Sequence, residues 1–310
     1  MKRVLWFLEA AFFAALSFPV AALPHKMALK AGEILGLSVF YLWGSRRKIA
    51  IDNIEKAKGE WQTARGKEQS AFSPEPLAIS HLSAYRLAKE TFKNLGRSLS
   101  EVIKIYYGLG KGIIDSVEIR GADNYHKAKS KNKGVLFITG HCGNWELKAI
   151  TFGAKIDTIT SVARKQNNPY LNGLVENVRA KYDNSVIYKK GALKGIVSVL
   201  RKNGNVGILM DQSVLKDEGY LIDFLGRPAW ATKMPALIAR RTGAAVVPAF
   251  LHREGDRHVS TIYPEVELSN NEDAEKAVIE DTKKFSAYIE DYIKQHPTEW
   301  LWIHRRWKRT

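Results

Sequence analysis

The most reactive grouping in the chain is Gly140-His141-Cys142-Gly143-Asn144-Trp145-Glu146-Leu147, where an imidazole, a thiol and a carboxylate share one short stretch. Histidine beside a carboxylate is the pairing of a general base, because the acid fixes the imidazole tautomer and stabilises the imidazolium that forms. On one continuous helix His141 and Glu146 would stand about 140° apart and share no face. A break is therefore expected between them. Gly143 supplies the tight turn, and Asn144 caps a new helix whose first turn lets Glu146 reach back to the imidazole. Cys142 offers a second chemistry, a thiolate activated by His141. Adjacent side chains in an extended segment point to opposite sides, so that pairing is awkward and Cys142 reads as a bystander.

Two other runs end in polar clusters. Arg164 closes DTITSVAR and is followed by Lys165, Gln166 and Asn167, while Asp211 and Gln212 follow NVGILM. The planar guanidinium of Arg164 suits a phosphate or a developing oxyanion. For Asp211 a cap, a loop acid, an orienting partner of Arg164 and a contact to an acceptor all remain open.

These residues need a frame that brings them to one edge. Apolar runs at 116–120, 134–139, 157–163, 205–210 and 244–250 read as strands, and helical patterns begin near Asn144, Pro169, Leu193, Met234 and Glu272. Their alternation predicts an α/β fold, a mixed and partly parallel sheet flanked by helices, whose ligands sit at the carboxyl ends of the strands. Upstream, apolar residues from Leu82 through Phe92 to Tyr106 recur at steps of three and four, which predicts one long amphipathic helix ended by Gly108 and Gly110. Residues 49–76 turn polar and carry the punctuation of a loop. No glycine-rich phosphate motif follows a strand, so no nucleotide cofactor is indicated.

Residues 4–23 (VLWFLEAAFFAALSFPVAAL) are interrupted only by Glu9 and Pro19, and a run of that length can reach across a bilayer. Lys2 and Arg3 before it and Arg46, Arg47 and Lys48 after it pull equally toward the cytoplasm; a helix lying in the leaflet boundary satisfies both. A cleaved signal peptide shares the basic start, but Glu9 breaks its apolar region and no clean small-residue cleavage site precedes His25. Residues 34–43 are too short to span and are expected to pack on the first helix or to deepen an entrance facing lipid. The resulting division is 1–45 as a membrane-associated helical segment, 46–110 as a helical region with a polar loop, and 111–310 as the α/β domain.

Lys plus Arg number 48 against 32 Asp plus Glu, a net charge of +16, which suits an anionic membrane, an acidic partner or nucleic acid. The cations are dispersed along the chain. Only the C-terminal His304-Arg305-Arg306-Trp307-Lys308-Arg309 resembles a nucleic-acid contact, so nucleic acid is not expected as a partner. A basic, membrane-anchored binding protein without catalysis is the non-enzymatic alternative. The single cysteine excludes an intrachain disulfide and a Cys-based zinc cluster.

Taken in order, RRKIAIDNI (46–54), FKNLGRSLSE (92–101), GVLFITGHCGNWE (134–146), ARKQNNP (163–169), ILMDQ (208–212), IDFLGRPAWAT (222–232), PALIARRTGAAVVP (235–248) and TEWLWIHRRWK (298–308) resemble the bacterial lipid A late acyltransferases. These are the lauroyl and myristoyl transferases, with their relatives that acylate phosphatidylinositol mannosides. The resemblance implies a glycerolipid-acyltransferase-like fold and transfer of a fatty acyl group from an acyl thioester, acyl carrier protein or acyl-CoA, to a hydroxyl of a membrane glycolipid at the cytoplasmic face of the inner membrane. A lysophospholipid acceptor is the alternative. It further implies His141 as general base supported by Glu146, a substrate pocket that includes Arg164, Asn167, Asp211 and Gln212, and no metal or redox cofactor.

Overall fold

The computed structural model describes residues 2–64, 83–189 and 191–308. Four long helices come first: α1 (Lys2–Ala22), α2 (His25–Leu42), α3 (Gly44–Ala64) and α4 (Ala84–Tyr106). The polar stretch expected as a loop from residue 49 is helical through Ala64, and its remainder at 65–76 lies outside the described residues. Composition misleads there because Ala50, Ile54 and Ala57 fall on one stripe and are fully buried, and packing of an apolar face outweighs weak propensity. Residues 34–43 form the second half of α2, which packs mainly against α4. The two backbones nearly touch along Gly32, Gly36 and Gly96; a Cβ on Gly96 would lie 1.9 Å from the Gly32 carbonyl oxygen.

The α/β part follows as α5 (Lys111–Asp115), β1 (Glu118–Arg120), α6 (Ala122–Lys129), β2 (Val135–Thr139), α7 (Trp145–Lys155), β3 (Thr160–Ala163), α8 (Pro169–Lys181), β4 (Ser185–Tyr188), α9 (Ala192–Arg201) and β5 (Asn205–Leu209). A separate hairpin, β6 (Gly219–Phe224) with β7 (Arg227–Thr232), precedes α10 (Met234–Thr242), β8 (Ala245–Glu254), β9 (Arg257–Ile262) and α11 (Ala274–Gln295). The sheet runs β1-β9-β8-β2-β5-β3-β4, parallel at every pairing but β8 with β9. It is the mixed, largely parallel sheet flanked by helices that the alternation predicts.

All five residues of β2 are buried, as a strand covered on both faces requires. On one face Val135, Phe137 and Val247 pack with Tyr125 of α6 and Phe152 of α7. On the other, Leu136 and Ile138 join a larger core with Ile196 of α9, Phe285 of α11 and residues of α2, α3 and α4. Parallel pairing of β2, β5 and β3 sends their carboxyl ends to one edge, where ligands of such sheets bind.

Candidate active site

Thr139 of β2 pairs with Leu209 of β5, so His141 and Asp211 leave the sheet side by side. Asp211 Oδ1 accepts from His141 Nδ1 at 2.8 Å, while Oδ2 accepts the His141 backbone N–H at 2.9 Å and Trp300 Nε1–H at 2.8 Å. Burial pushes the Asp211 carboxyl up, but the facing imidazole and these donors outweigh it and hold the group well below the usual carboxylate range. For His141 burial favours the neutral ring; the charge and hydrogen bond of Asp211, with the charge of Glu146, overcome that and raise its pKa above 6.5. Since Nδ1 donates to a carboxylate, Nε2 is left with its lone pair, 3.3 Å from the Gln212 amide nitrogen. The edge of the imidazole faces Trp145, with ring centroids 5.2 Å apart.

The break between His141 and α7 is built as expected, but the carboxylate on the imidazole is a different one. Glu146 lies in the first turn of α7 and accepts two bonds from Arg179 of α8, at 2.8 and 2.9 Å. The expected hydrogen bond from Glu146 to the imidazole is not formed; Asp211, fixed by strand register, occupies Nδ1 instead. Glu146 acts on His141 through space, by its charge.

Several elements pin the turn. Gly143 has φ +55°, and a Cβ there would lie 1.9 Å from the Leu251 carbonyl oxygen, so only glycine fits. Its N–H donates to Glu299 O at 2.8 Å, and the Leu301 N–H donates to His141 O at 3.2 Å. Asn144 accepts the Leu147 N–H at 3.1 Å as the cap and donates at 3.0 Å to Glu101 of α4. Glu101 is fully buried and also takes bonds from Arg253 and His258. Cys142 is buried, and burial with the charge of Asp211 pushes its thiol well above the ordinary range. That is an inert thiol, not a nucleophile.

His141 and Glu146 open on a cavity of about 450 Å³ between α7 and the sheet. Its walls are mostly apolar, from Phe137, Phe152, Ile159, Leu209 and Ile262, with Gly207 and Ala149 leaving the space. A more polar chamber of about 190 Å³ adjoins it, where Arg164, Gln166, Asn172, Glu176 and Arg179 line the wall beside Glu146. Arg164 is exposed and borders both spaces, and Gln212 lines the first. Asn167 is exposed on the loop before α8 and lines neither; its neighbour Asn168 is buried, caps α8 and donates to Trp6 O and Glu9 of α1 at 2.9 and 3.0 Å. Arg179, Glu101, Trp300 and Lys148 escaped the sequence reading. Trp300 lay within the quoted motif TEWLWIHRRWK, whereas Arg179 and Lys148 sit in helical runs with nothing to mark them.

Residues 79–309 match the family described as bacterial lipid A biosynthesis acyltransferase. The chain belongs to this family. The acyltransferase is 24% identical over 229 residues to the lipid A biosynthesis palmitoleoyltransferase of Escherichia coli K12, covering 72% of each chain. Against the lauroyltransferase of the same organism identity is 23% over 292 residues, 93% of this chain and 88% of the relative. A phosphatidylinositol mannoside acyltransferase of Mycobacterium tuberculosis is 24% identical over 245 residues, 76% and 71% of the two chains.

Proposed function

We propose that this acyltransferase moves a fatty acyl group from an acyl thioester, carried on acyl carrier protein, to a hydroxyl of a lipid A precursor or similar glycolipid. The observation that carries the reading is an imidazole with Nδ1 tied to a buried carboxylate and Nε2 touched, among the described residues, only by the Gln212 amide, beside a mostly apolar cavity of about 450 Å³. The acyl chain lies under α7 with its carbonyl carbon at His141. The acceptor hydroxyl displaces the Gln212 amide from Nε2, gives its proton to Nε2 and attacks the carbonyl carbon. The C–S bond then breaks, and the proton passes from the imidazolium to the departing thiolate, leaving an ester and a thiol. Asp211 orients the ring, and Asp211 with Glu146 stabilises the imidazolium.

Arg164 and Arg179 line the adjoining chamber together with Glu146 and Glu176, and the guanidinium of Arg164, which borders both spaces, suits a phosphate of a glycolipid headgroup. Asn167 lines neither space, and in this reading the exposed loop that carries it meets the outer part of that headgroup. Relatives named for lipid A and for phosphatidylinositol mannosides match equally well, so a mannosylated phosphoinositide is the second acceptor to test.

We infer that α1 attaches the enzyme to the cytoplasmic leaflet of the inner membrane. α1 is long and apolar enough to cross a bilayer, yet it is docked at both ends. Trp6 and Glu9 hold Asn168, Ser17 bonds Tyr107 at 3.0 Å, and the Ala21 carbonyl takes Lys104 Nζ at 2.7 Å. Val4, Leu8, Phe12 and Leu16 face outward, an arrangement that favours lying in the leaflet over crossing it.

The test is transfer from labelled acyl-carrier-protein thioester to lipid A precursor, with His141→Ala alongside. A fall of roughly 10²–10⁴-fold is the expected cost of losing the base; wild-type rates in the variant would sink the reading.

A further inference from the structure

The cavity at His141 has a second limb. Along β5, Gly207 and Leu209 line it beside Phe152 of α7, and Ile208 lines it beside Ala192 of α9. Alternate residues of a strand point to opposite faces, so the space bends over the carboxyl edge of the sheet. Beyond the bend its walls are Ala192 at the start of α9, Val214, Thr232 at the end of β7 and Met234 at the start of α10. An acyl chain lying under α7 occupies only the first limb. A thioester held at His141 carries the chain on one side of its carbonyl carbon and the arm of its carrier on the other, so the chain in one limb directs the arm into the second.

The rim of that second limb is apolar and basic at once. Leu193 follows Ala192, Leu215 follows Val214, and Leu237 stands one turn after Met234; they are 42, 49 and 44% exposed. Around them stand Lys165, Lys189, Lys194 and Lys216, all exposed, and Lys233 over the Tyr220 ring. The Lys189 N–H donates to Ala163 O at 2.9 Å and the Lys233 N–H to Glu218 O at 3.3 Å, which joins these loops into one rim. Asp217 and Glu218, exposed beside Lys216, offset two of the five cations. The rim also lies apart from the attached helix. α1 bears on α8 through Asn168 and Tyr170, and α8 packs with α7 on the face of the sheet opposite α9.

We propose that this rim is the docking surface for the donor's carrier, an acidic acyl carrier protein whose prosthetic arm runs through the second limb to His141. An acidic helix of the carrier covers the three leucines, and the lysines meet its carboxylates. An apolar centre within a charged rim gives such a contact its packing, and the charge steers and orients the encounter. The carrier approaches from the α9 and α10 side, while the membrane acceptor enters past α1 and α8, so the two substrates do not compete for one entrance.

The docking surface rests on the acyl-transfer reading above, and the choice of donors separates the two. Full-length enzyme in lipid vesicles is assayed on lipid A precursor with dodecanoyl acyl carrier protein and with dodecanoyl pantetheine, which has the arm without the protein. Lys194→Glu with Lys216→Glu is expected to raise KM for the carrier thioester at least about tenfold, with kcat and the pantetheine reaction within about twofold of wild type. The same charge change on and just after α6, Lys127→Glu with Lys131→Glu, is expected to leave that KM in place. A KM unmoved by the first pair, or moved as far by the second, overturns the docking surface. A pantetheine reaction slowed as much as the carrier reaction overturns it too, since those lysines would then serve the arm or the chemistry. Independently of any variant, wild-type enzyme with excess carrier should show slowed amide exchange in α9 and α10, and a footprint confined to other segments overturns the proposal. Transfer from neither donor to any glycolipid overturns the acyl-transfer reading itself.

Discussion

Asp211 holds the imidazole because strand register delivers it there, whereas Glu146 would have to fold back against the direction of α7. Removing its charge by Asp211→Asn takes away the strongest influence that raises the His141 pKa. A base works only when neutral, so the acid limb of the wild-type kcat/KM profile is expected above pH 6.5. In Asp211→Asn that limb moves to lower pH while the plateau falls by roughly 10²–10⁴-fold, since the tautomer is no longer fixed. A profile that keeps its acid limb would show that Asp211 does not set the base. Trp300→Phe is a milder probe: it removes one donor from the buried carboxylate and should cost about 1–3 kcal/mol of stability, read by urea titration. Glu146→Gln should lower the imidazole pKa less than Asp211→Asn does, because it acts only through space.

The seam between α2 and α4 sets the distance from the N-terminal helices to the His141 turn, since α4 carries Glu101, which bonds the cap of α7. Gly96→Val puts a methyl-bearing carbon where the Gly32 carbonyl oxygen stands. A loss of about 1–3 kcal/mol or more follows from forcing the helices apart, visible as a lowered Tm. Gly112→Ala, which meets nothing within 4 Å in α5, should be neutral or slightly stabilising and serves as the contrast. The strands at 134–139, 205–210 and 244–250 were legible because buried strands are written as largely apolar runs, and those at 116–120 and 157–163 because apolar residues stand between polar ones in short stretches. β9, β6 and β7 were missed, although each hairpin carries a two-residue turn, Gly255-Asp256 and Leu225-Gly226, with φ of +59° at Gly255 and +55° and +76° at the latter pair. β4 is a four-residue edge strand, too short for periodicity to speak. Local patterns thus announced His141, its glycines and its cap. The partners of His141, Glu146 and Asp211 are Asp211, Arg179 and Trp300 in turn, 70, 33 and 89 positions away, and only register and helix packing bring those together.

In the proposed attachment to a membrane, the net charge of +16 and the outward apolar face of α1 draw the enzyme to anionic lipid by different physics, and salt separates them. Coulombic attraction to anionic lipid is screened within about 8–10 Å at ordinary ionic strength, whereas burial of Leu8, Phe12 and Leu16 in the leaflet boundary is not. Binding to vesicles rich in anionic lipid should therefore weaken but persist as salt rises, and binding to zwitterionic vesicles should hardly change. Replacing those three residues with aspartate should abolish the salt-resistant part, as sedimentation with vesicles would read. The depth of α1 can be decided with thiol labelling, because the sole native thiol, Cys142, is buried and silent. Cysteines placed at Lys2, where α1 begins, and at Lys26, exposed in the first turn of α2 just past its other end, should both react with an impermeant maleimide added on the cytoplasmic side, since an interfacial helix keeps both positions there. A helix that crosses the bilayer would protect Lys2→Cys from that side and expose it on the other. With Asn168 tied to Glu9 and Trp6 of α1, that result would also draw the loop carrying Arg164 out of reach of the cytoplasmic leaflet, so the orientation of α1 and the access of a membrane acceptor to His141 stand or fall together.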